Sequence, residues 1–479
     1  MRQKVRGGSR AVAWFALTAL LLLLFGCEDT GTNRGEEMDQ QSETVNQTGE
    51  PSSENENVSK TISARPAYSP LGNGIFPIGA WVAPPPRDAL GTGNPNFITD
   101  ESYALAKEAG LNMIYGLYER VEMNVADVLR ALDAAQANGL RYVVSDAAIQ
   151  AVAEDPELME QSVALYENHP AFLGHMVMDE PSAAYFPMLG ENYAAYRERF
   201  PDKMFYINLL PMYASRNQLF IDKTDEDGGE PTVDEYGSYL GDFLEQVPLP
   251  YISYDYYPLE GEFPELKSGY FENMSMVRRI AREHDIPFWV FVQTVSWGKR
   301  IRVATPPELA WQVHTALAYG AQGMQYFTFW QPVEEGFRGG MIDRDGVKQP
   351  IFDTVKEINA FIADVGPALM RAKSLGVMVA GDSPVPVPEQ DVLAACPGLA
   401  AVSSDSPLLI GCFEIDGLPA YYVVNLSLEH AQEAALRLAD DASYTVYRPG
   451  HARERIRPEA AVALGPGQGA LILNNNLLE

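Results

Sequence analysis

Between Phe76 and Met370 the chain alternates apolar runs of strand length with amphipathic stretches of helix length, and few folds accept that rhythm. Strands are expected at Phe76 to Trp81, Asn112 to Tyr115, Arg141 to Ser145, Phe172 to Met178 with Asp179 and Glu180 leaving its end, Met204 to Asn208, Tyr251 to Tyr254, Pro287 to Gln293 and Gly323 to Phe329. Helices are expected near Asp100 to Ala109, Val125 to Ala137, Pro156 to Glu167, Met188 to Arg199, Asp234 to Gln246, Phe271 to His284, Pro307 to Tyr319 and Ile351 to Met370. Stop signals such as Asn138-Gly139 separate them. Eight strand–helix units in roughly 300 residues predict an α/β fold, a closed (β/α)8 TIM barrel. An open doubly wound sheet would show a glycine-rich first turn and fewer repeats.

Beyond Ala372 the helical period stops. Short apolar runs recur at Gly376 to Val379, Leu408 to Phe413, Ala420 to Asn425, Thr445 to Tyr447 and Gly469 to Leu473, with turn pairs such as Asp416-Gly417 between them. This predicts a small antiparallel, sandwich-like β-domain over 373–479 behind a barrel over 65–372. The other end reads as an export signal over 1–27. Arg2, Lys4, Arg6 and Arg10 precede the apolar run Ala11 to Phe25, which is too short to span a bilayer. Gly26-Cys27 after that run resembles the bacterial lipoprotein box, and the resemblance implies lipidation of Cys27 and anchoring in the cell envelope, at the periplasmic face or the cell surface. Residues 28–64 are acidic, polar and poor in apolar side chains, as in a disordered tether.

A formal net charge of −30 argues against a nucleic-acid partner, which calls for basic patches. No His/Cys metal pattern and no phosphate-binding glycine loop stands out, so neither metal nor cofactor is expected. Cys396 and Cys412 are free to pair in an oxidising compartment, but spacing alone leaves that open.

In a barrel of this kind chemistry sits at the carboxyl ends of the strands. Those ends carry Trp81, Tyr115, Glu119, Asp146, the pair Asp179-Glu180, Asn208, Tyr254, Asp255, Tyr257, Gln293, Trp297 and Trp330. Amides and carboxylates bind sugar hydroxyls, aromatic faces stack on sugar rings, and paired carboxyls cleave glycosidic bonds. The inventory predicts a carbohydrate substrate, with Glu180, Asp255 and Asp179 as catalytic candidates and Trp81, Tyr115, Asp146, Asn208, Tyr254, Tyr257, Gln293, Trp297 and Trp330 as substrate contacts. A helix cap is the plain structural alternative for Asp179.

The run FLGHMVMDEP, with Glu180 closing the fourth strand, resembles the barrel glycosidases of glycoside hydrolase family 42 and its clan. The aromatic Trp330, the segment MIDRDGVKQPIFDTVKEIN and the C-terminal VVNLS and LGPGQGALIL extend the likeness. It implies that Glu180 is the acid. In that clan a second glutamate leaves strand seven, whereas WVFVQTV puts Gln293 there, and an amide is no carboxylate nucleophile. Two partners stay open. An Asp-Glu pair on strand four resembles hexosaminidases that use the substrate's acetamido group, and ISYDYYP looks like the Tyr-Asp pair of chitinase-like barrels. Alternatively Asp255, two strands away, is a base with a water between it and Glu180, at the wider carboxyl spacing of about 6.5–9.5 Å. The sequence reading leans to Asp255. A non-catalytic glycan-binding lipoprotein is the alternative that Gln293 motivates.

Overall fold

The eight strands of the barrel are β1 (Ile78–Ala80), β2 (Met113–Arg120), β3 (Arg141–Ser145), β4 (Phe172–Asp179), β5 (Met204–Asn208), β6 (Ile252–Tyr254), β7 (Phe288–Gln293) and β8 (Met324–Phe327) in a computed structural model. The structure describes residues 66–72, 74–220, 229–439 and 441–477. The expected signal segment, Cys27 and the tether lie outside the described residues, as does the middle of the Met212 to Pro231 connection. The strands are parallel in the order β5-β4-β3-β2-β1-β8-β7-β6. A parallel bridge between Leu209 and Tyr254 brings the two edges together, with the Leu209 N–H donating to the Ser253 carbonyl at 2.8 Å. The barrel is therefore closed, and no edge is left to pair elsewhere.

Each strand is followed by a helix: α1 (Asp100–Glu108), α2 (Val121–Ala137), α3 (Pro156–Val163), α4 (Phe186–Arg199), α5 (Val233–Gln246), α6 (Tyr270–Glu283), α7 (Pro306–Tyr319) and α8 (Phe352–Leu369). Local chemistry starts them where it should. Thr232 with Glu235 and Thr305 with Glu308 form capping boxes on α5 and α7. Asp155 caps α3, whose first residue is Pro156. Gly174 in β4 answers to close approach, because a Cβ there would run into the Met204 backbone of β5. The boundaries differ from expectation where loops rejoin the strands. Residues 116–120 extend β2 past a register shift between Tyr115 and Arg120, and α2 starts at Val121 with non-helical Asn124 inside it.

The C-terminal strands are β9 (Lys373–Ala380), β10 (Leu399–Ser403), β11 (Leu408–Ile415), β12 (Leu418–Asn425), β13 (Gln432–Leu438), β14 (Tyr444–Tyr447), β15 (Glu454–Ile456), β16 (Glu459–Leu464) and β17 (Gly469–Asn474). They make a six-stranded antiparallel sheet, β9-β11-β12-β17-β14-β15, and a three-stranded one, β10-β13-β16. Ile410, Val423, Leu436, Val462 and Ile472 fill the space between the two, with the Cys396–Cys412 disulfide beside them. The outer face of the large sheet covers α7. His314 Nδ1 meets the Tyr422 hydroxyl at 2.7 Å, and Gly411 lies against the Ala318 carbonyl where a side chain would collide. A buried ion pair, Arg278 to Asp391 at 3.1 Å, ties α6 to the same domain. The described residues belong to one compact unit. Among them no helix is long and apolar enough to cross a membrane.

Candidate active site

Strand alternation decides what reaches the cleft. In β6, Ile252 and Tyr254 point to the helices while Ser253 points inward, and Asp255 follows it at the strand's end. Two strands away, β4 ends at Asp179, followed by Glu180, next to Asn208 of β5, with Asp179 in register with Asn208. Three carboxyls thus meet around one amide. Asn208 Nδ2 donates to Asp255 at 2.8 Å and to Asp179 at 3.4 Å. The Glu180 carboxyl hydrogen-bonds to Asp255. Asp179 and Glu180 keep partial access to solvent, while Asp255 is 2% exposed.

Burial comes first in raising all three carboxyls above their ordinary range. Glu180 is pushed well up, and the neighbouring Asp255 and Asp179 charges add to burial. Asp255 rises to about 7, held down from further by donation from Asn208 and Glu180. Glu180 and Asp255 thus interact, and both hold a proton more readily than an ordinary carboxyl.

Glu180 has φ 48°, a left-handed conformation costing a side-chain-bearing residue about 1–2 kcal/mol. The neighbours hold it there. Its N–H donates to the Asn208 carbonyl at 2.8 Å, and the next carbonyl, that of Pro181, accepts from the Tyr239 hydroxyl at 2.8 Å. Local strain maintained at a strand end next to like charges is a mark of a site that serves chemistry over stability.

Aromatic side chains wall the carboxyls. Tyr257 lies close enough for all three to raise its phenol pKa, after burial, and it meets Trp297 edge-on with centroids 5.0 Å apart. Phe327 closes the group, 5.5 Å from Tyr257 and 5.6 Å from Trp297. Trp297 is part-exposed at the mouth. Two further residues belong here that sequence reasoning passed over. Tyr213, from the connection after β5, feels the Asp255 and Glu180 charges and meets Tyr256 edge-on at 4.9 Å. The Lys267 ammonium sits 4.0 Å from the Tyr213 ring centroid, pairs with Glu260 at 3.3 Å and lowers Asp255. No spacing marks either residue, because both come from irregular connections.

Other expected contacts are placed elsewhere. Asp146 is 4% exposed, and its carboxylate accepts from the Ala148 N–H at 3.0 Å and from the Ser162 and Tyr166 hydroxyls at 2.6 Å each. It caps the turn after β3 and ties it to α3. Tyr254 faces Tyr236 and Tyr270 of the helix layer. Trp330 is 1% exposed beneath Phe97, 4.6 Å away. Trp81 and Tyr115 lie below the cleft floor. Trp81 packs edge-on against Phe291 at 5.4 Å, and Tyr115 donates to Gln325 at 2.6 Å. Gln293 is fully buried. Its Oε1 accepts from Leu259 N–H at 3.2 Å and its Nε2 donates to the Arg302 carbonyl at 2.7 Å, clamping the loops after β6 and β7. Glu119 packs under α1, where the Tyr142 hydroxyl donates to it and burial pushes it up to about 7. The water-mediated geometry expected for Asp255 is not what the structure has: Asp255 touches Glu180 directly, because β6 bridges onto β5 and the side chains converge.

No protein-family model matches this chain, and no curated protein sequence does. Solved structures do. A protein described as a glycoside hydrolase superposes with a TM-score of 0.50 at 10% identity, over 87% of this chain and 96% of the other. A family 5 glycoside hydrolase from Bacteroides vulgatus gives a TM-score of 0.49 at 11% identity, over 84% and 90% of the two chains. A catalytic mutant of a family 42 β-galactosidase from G. stearothermophilus gives 0.46 at 10%, over 87% and 100%. At such identities the likeness is one of fold. Among the described residues no cluster of His, Cys, Asp and Glu is arranged to hold a metal ion.

Proposed function

We propose that the chain is an exported, lipid-anchored glycoside hydrolase in which Glu180 is the general acid. The observation that carries this is the placement of Glu180 at the end of β4, beside Asp179 and Asp255 and under Tyr257, where burial and the neighbouring charges push its carboxyl well above the ordinary range. A carboxyl that keeps its proton near neutral pH can deliver it to a glycosidic oxygen as the C–O bond breaks.

The second group is best supplied by the substrate. A protein nucleophile needs a carboxyl about 5–5.5 Å from the acid, and inversion needs about 6.5–9.5 Å with water between. Asp255, in hydrogen-bond contact with Glu180, has neither spacing, and the end of β7 offers Gln293. An acetamido oxygen on the sugar attacking its own anomeric carbon fits, with Asp179 beside Glu180 to orient it. Water then opens the ring so formed, giving its proton to Glu180. Activity should require a 2-acetamido sugar and retain the anomer. NMR of the first-formed product from a panel of acetamido and plain glycosides tests this; turnover of plain glycosides, or an inverted product, overturns it.

Gln293 favours a second reading, a lipoprotein that binds glycans without cleaving them. Binding with no release of reducing sugar from any panel member would select it. The anchor is a separate proposal, supported by the basic start, the apolar run and Gly26-Cys27. Mass spectrometry should find a mature chain beginning at a lipidated Cys27; an unmodified soluble form cleaved beyond it would exclude the anchor.

A further inference from the structure

The amide of Asn208 has its direction imposed from below. Gln325 of β8 accepts at Oε1 from two phenols, Tyr115 at 2.6 Å and Tyr206 at 2.8 Å. Its amide nitrogen therefore faces Ser253 of β6 and donates to Ser253 Oγ at 2.8 Å. The Ser253 hydroxyl, which also lies 2.9 Å from that of Tyr206, donates to Asn208 Oδ1 at 3.0 Å. Asn208 is left with only its Nδ2 protons to present to Asp255 and Asp179. All of these residues are buried: Gln325 0%, Ser253 1%, Tyr206 0%, Tyr115 1% and Asn208 3% exposed. Turning Asn208 over would set its carbonyl against the Asp255 and Asp179 carboxyls.

We propose that Ser253, oriented by Gln325, is a positioning residue that decides which member of the Glu180–Asp255 pair holds the shared proton; the proposal rests on Glu180 being the acid. Donation from Asn208 favours the charged form of Asp255, which leaves the proton on Glu180, where a leaving group can take it. If Asn208 turned over, its carbonyl would face Asp255 and draw the proton there. The pair would then be no less acidic in total, but its proton would be on the wrong carboxyl.

Other groups face the pair. Asp179 stands beside it on β4, and Lys267 reaches it from the connection after β6. The phenols of Tyr213, Tyr257, Tyr236, Tyr239 and Tyr254 surround it and stay neutral through burial. Lys267 also favours anionic Asp255, but it is a flexible ammonium shared with Glu260. The Gln325–Ser253–Asn208 relay, by contrast, ends in a buried amide that donates directly to Asp255 at 2.8 Å.

The test is Ser253→Ala in the full-length protein, with Ser253→Cys, a weak donor of similar volume, in reserve should the first not fold. NMR of isotope-labelled aspartate γ-carboxyls, with Asp255 assigned by the signal missing from Asp255→Asn, reads its titration without any substrate. The Asp255 transition should move up by about one pH unit. On a fluorogenic 2-acetamido glycoside, the acid limb of the kcat profile should move up by the same amount while KM holds. An Asp255 titration unchanged in the folded variant overturns the relay. If the variant shows the shift but the wild type cleaves no glycoside, the relay stands and the assignment of Glu180 as a catalytic acid is refuted.

Discussion

Two buried acidic sites on neighbouring strands of the barrel differ in one ratio. Behind β3, the Asp146 carboxylate takes hydrogen bonds from a backbone N–H and two hydroxyls. Tyr166 extends that network to His175 Nε2 at 2.7 Å, and His175 Nδ1 meets the Tyr196 hydroxyl at 2.8 Å. His175 is kept neutral by burial, with a pKa lowered to about 3. At the end of β4 Asp179 and Asp255 share the single Asn208 amide, and Glu180 stands beside them without it. Both sites are inside the fold, and both carry acids at strand ends. A carboxylate met by a backbone N–H and two hydroxyls is scaffolding, because its acceptor sites are largely taken within the fold. Carboxyls with too few donors must share protons, and shared protons are available for transfer.

The largest effect that should separate the two sites is on turnover. Glu180→Gln keeps the shape and loses the transferable proton, so kcat should fall about 10²–10⁴-fold with glycan affinity retained; near-normal rates on an unactivated glycoside would erase the distinction. Asp146→Ala should do the reverse. It strands three donors, so urea unfolding should show a loss of roughly 2–4 kcal/mol while kcat of the folded fraction holds. A drop in kcat without a drop in stability would move Asp146 into the site.

Glu119 offers an intermediate case: a buried carboxyl, 2% exposed, held up to about 7 by burial with one phenol donating to it. Its folded value lies above its ordinary 4.5. The stability contributed by its protonated form is full below 4.5 and is lost as pH rises through 7. Glu119→Gln should therefore stabilise the protein at pH 8, by on the order of 2 kcal/mol, and hardly at all at pH 4. Equal effects at both ends, measured by thermal unfolding across pH, would show that Glu119 is not the titrating group. The smallest effect is expected at Trp297. Losing a stacking face worth about 0.5–1.5 kcal/mol should raise KM some two- to tenfold with kcat nearly unchanged. An unchanged KM would remove Trp297 from the glycan path.

Much of the candidate site was legible because strand ends are legible. Asp179, Glu180, Asn208, Asp255, Tyr257 and Trp297 all follow apolar runs, and a barrel gathers such ends on one face. Asp146, Tyr254, Gln293 and Trp330 occupy the same kind of position and do not join them. Position along a strand says nothing about a one-residue change of facing, or about a loop carbonyl waiting to accept a hydrogen bond. Ser253 and Gln325 were passed over although a signal existed: each is a polar residue at an inward position of an otherwise apolar strand, ISY and MQYF.

The order of apolar and polar residues by itself determined the barrel and the β-domain behind it, because the periods of strand and helix and the preference for burial act over neighbours in the chain. It also determined that acids and aromatics would end the strands. Only the tertiary structure decided that Asp255 touches Glu180 rather than facing it across a water, that one amide serves two carboxyls, and that Gln293 is tied to backbone. Those outcomes depend on distances of a few ångströms between residues far apart in the chain, where electrostatic and hydrogen-bond energies change steeply and sequence spacing carries no information.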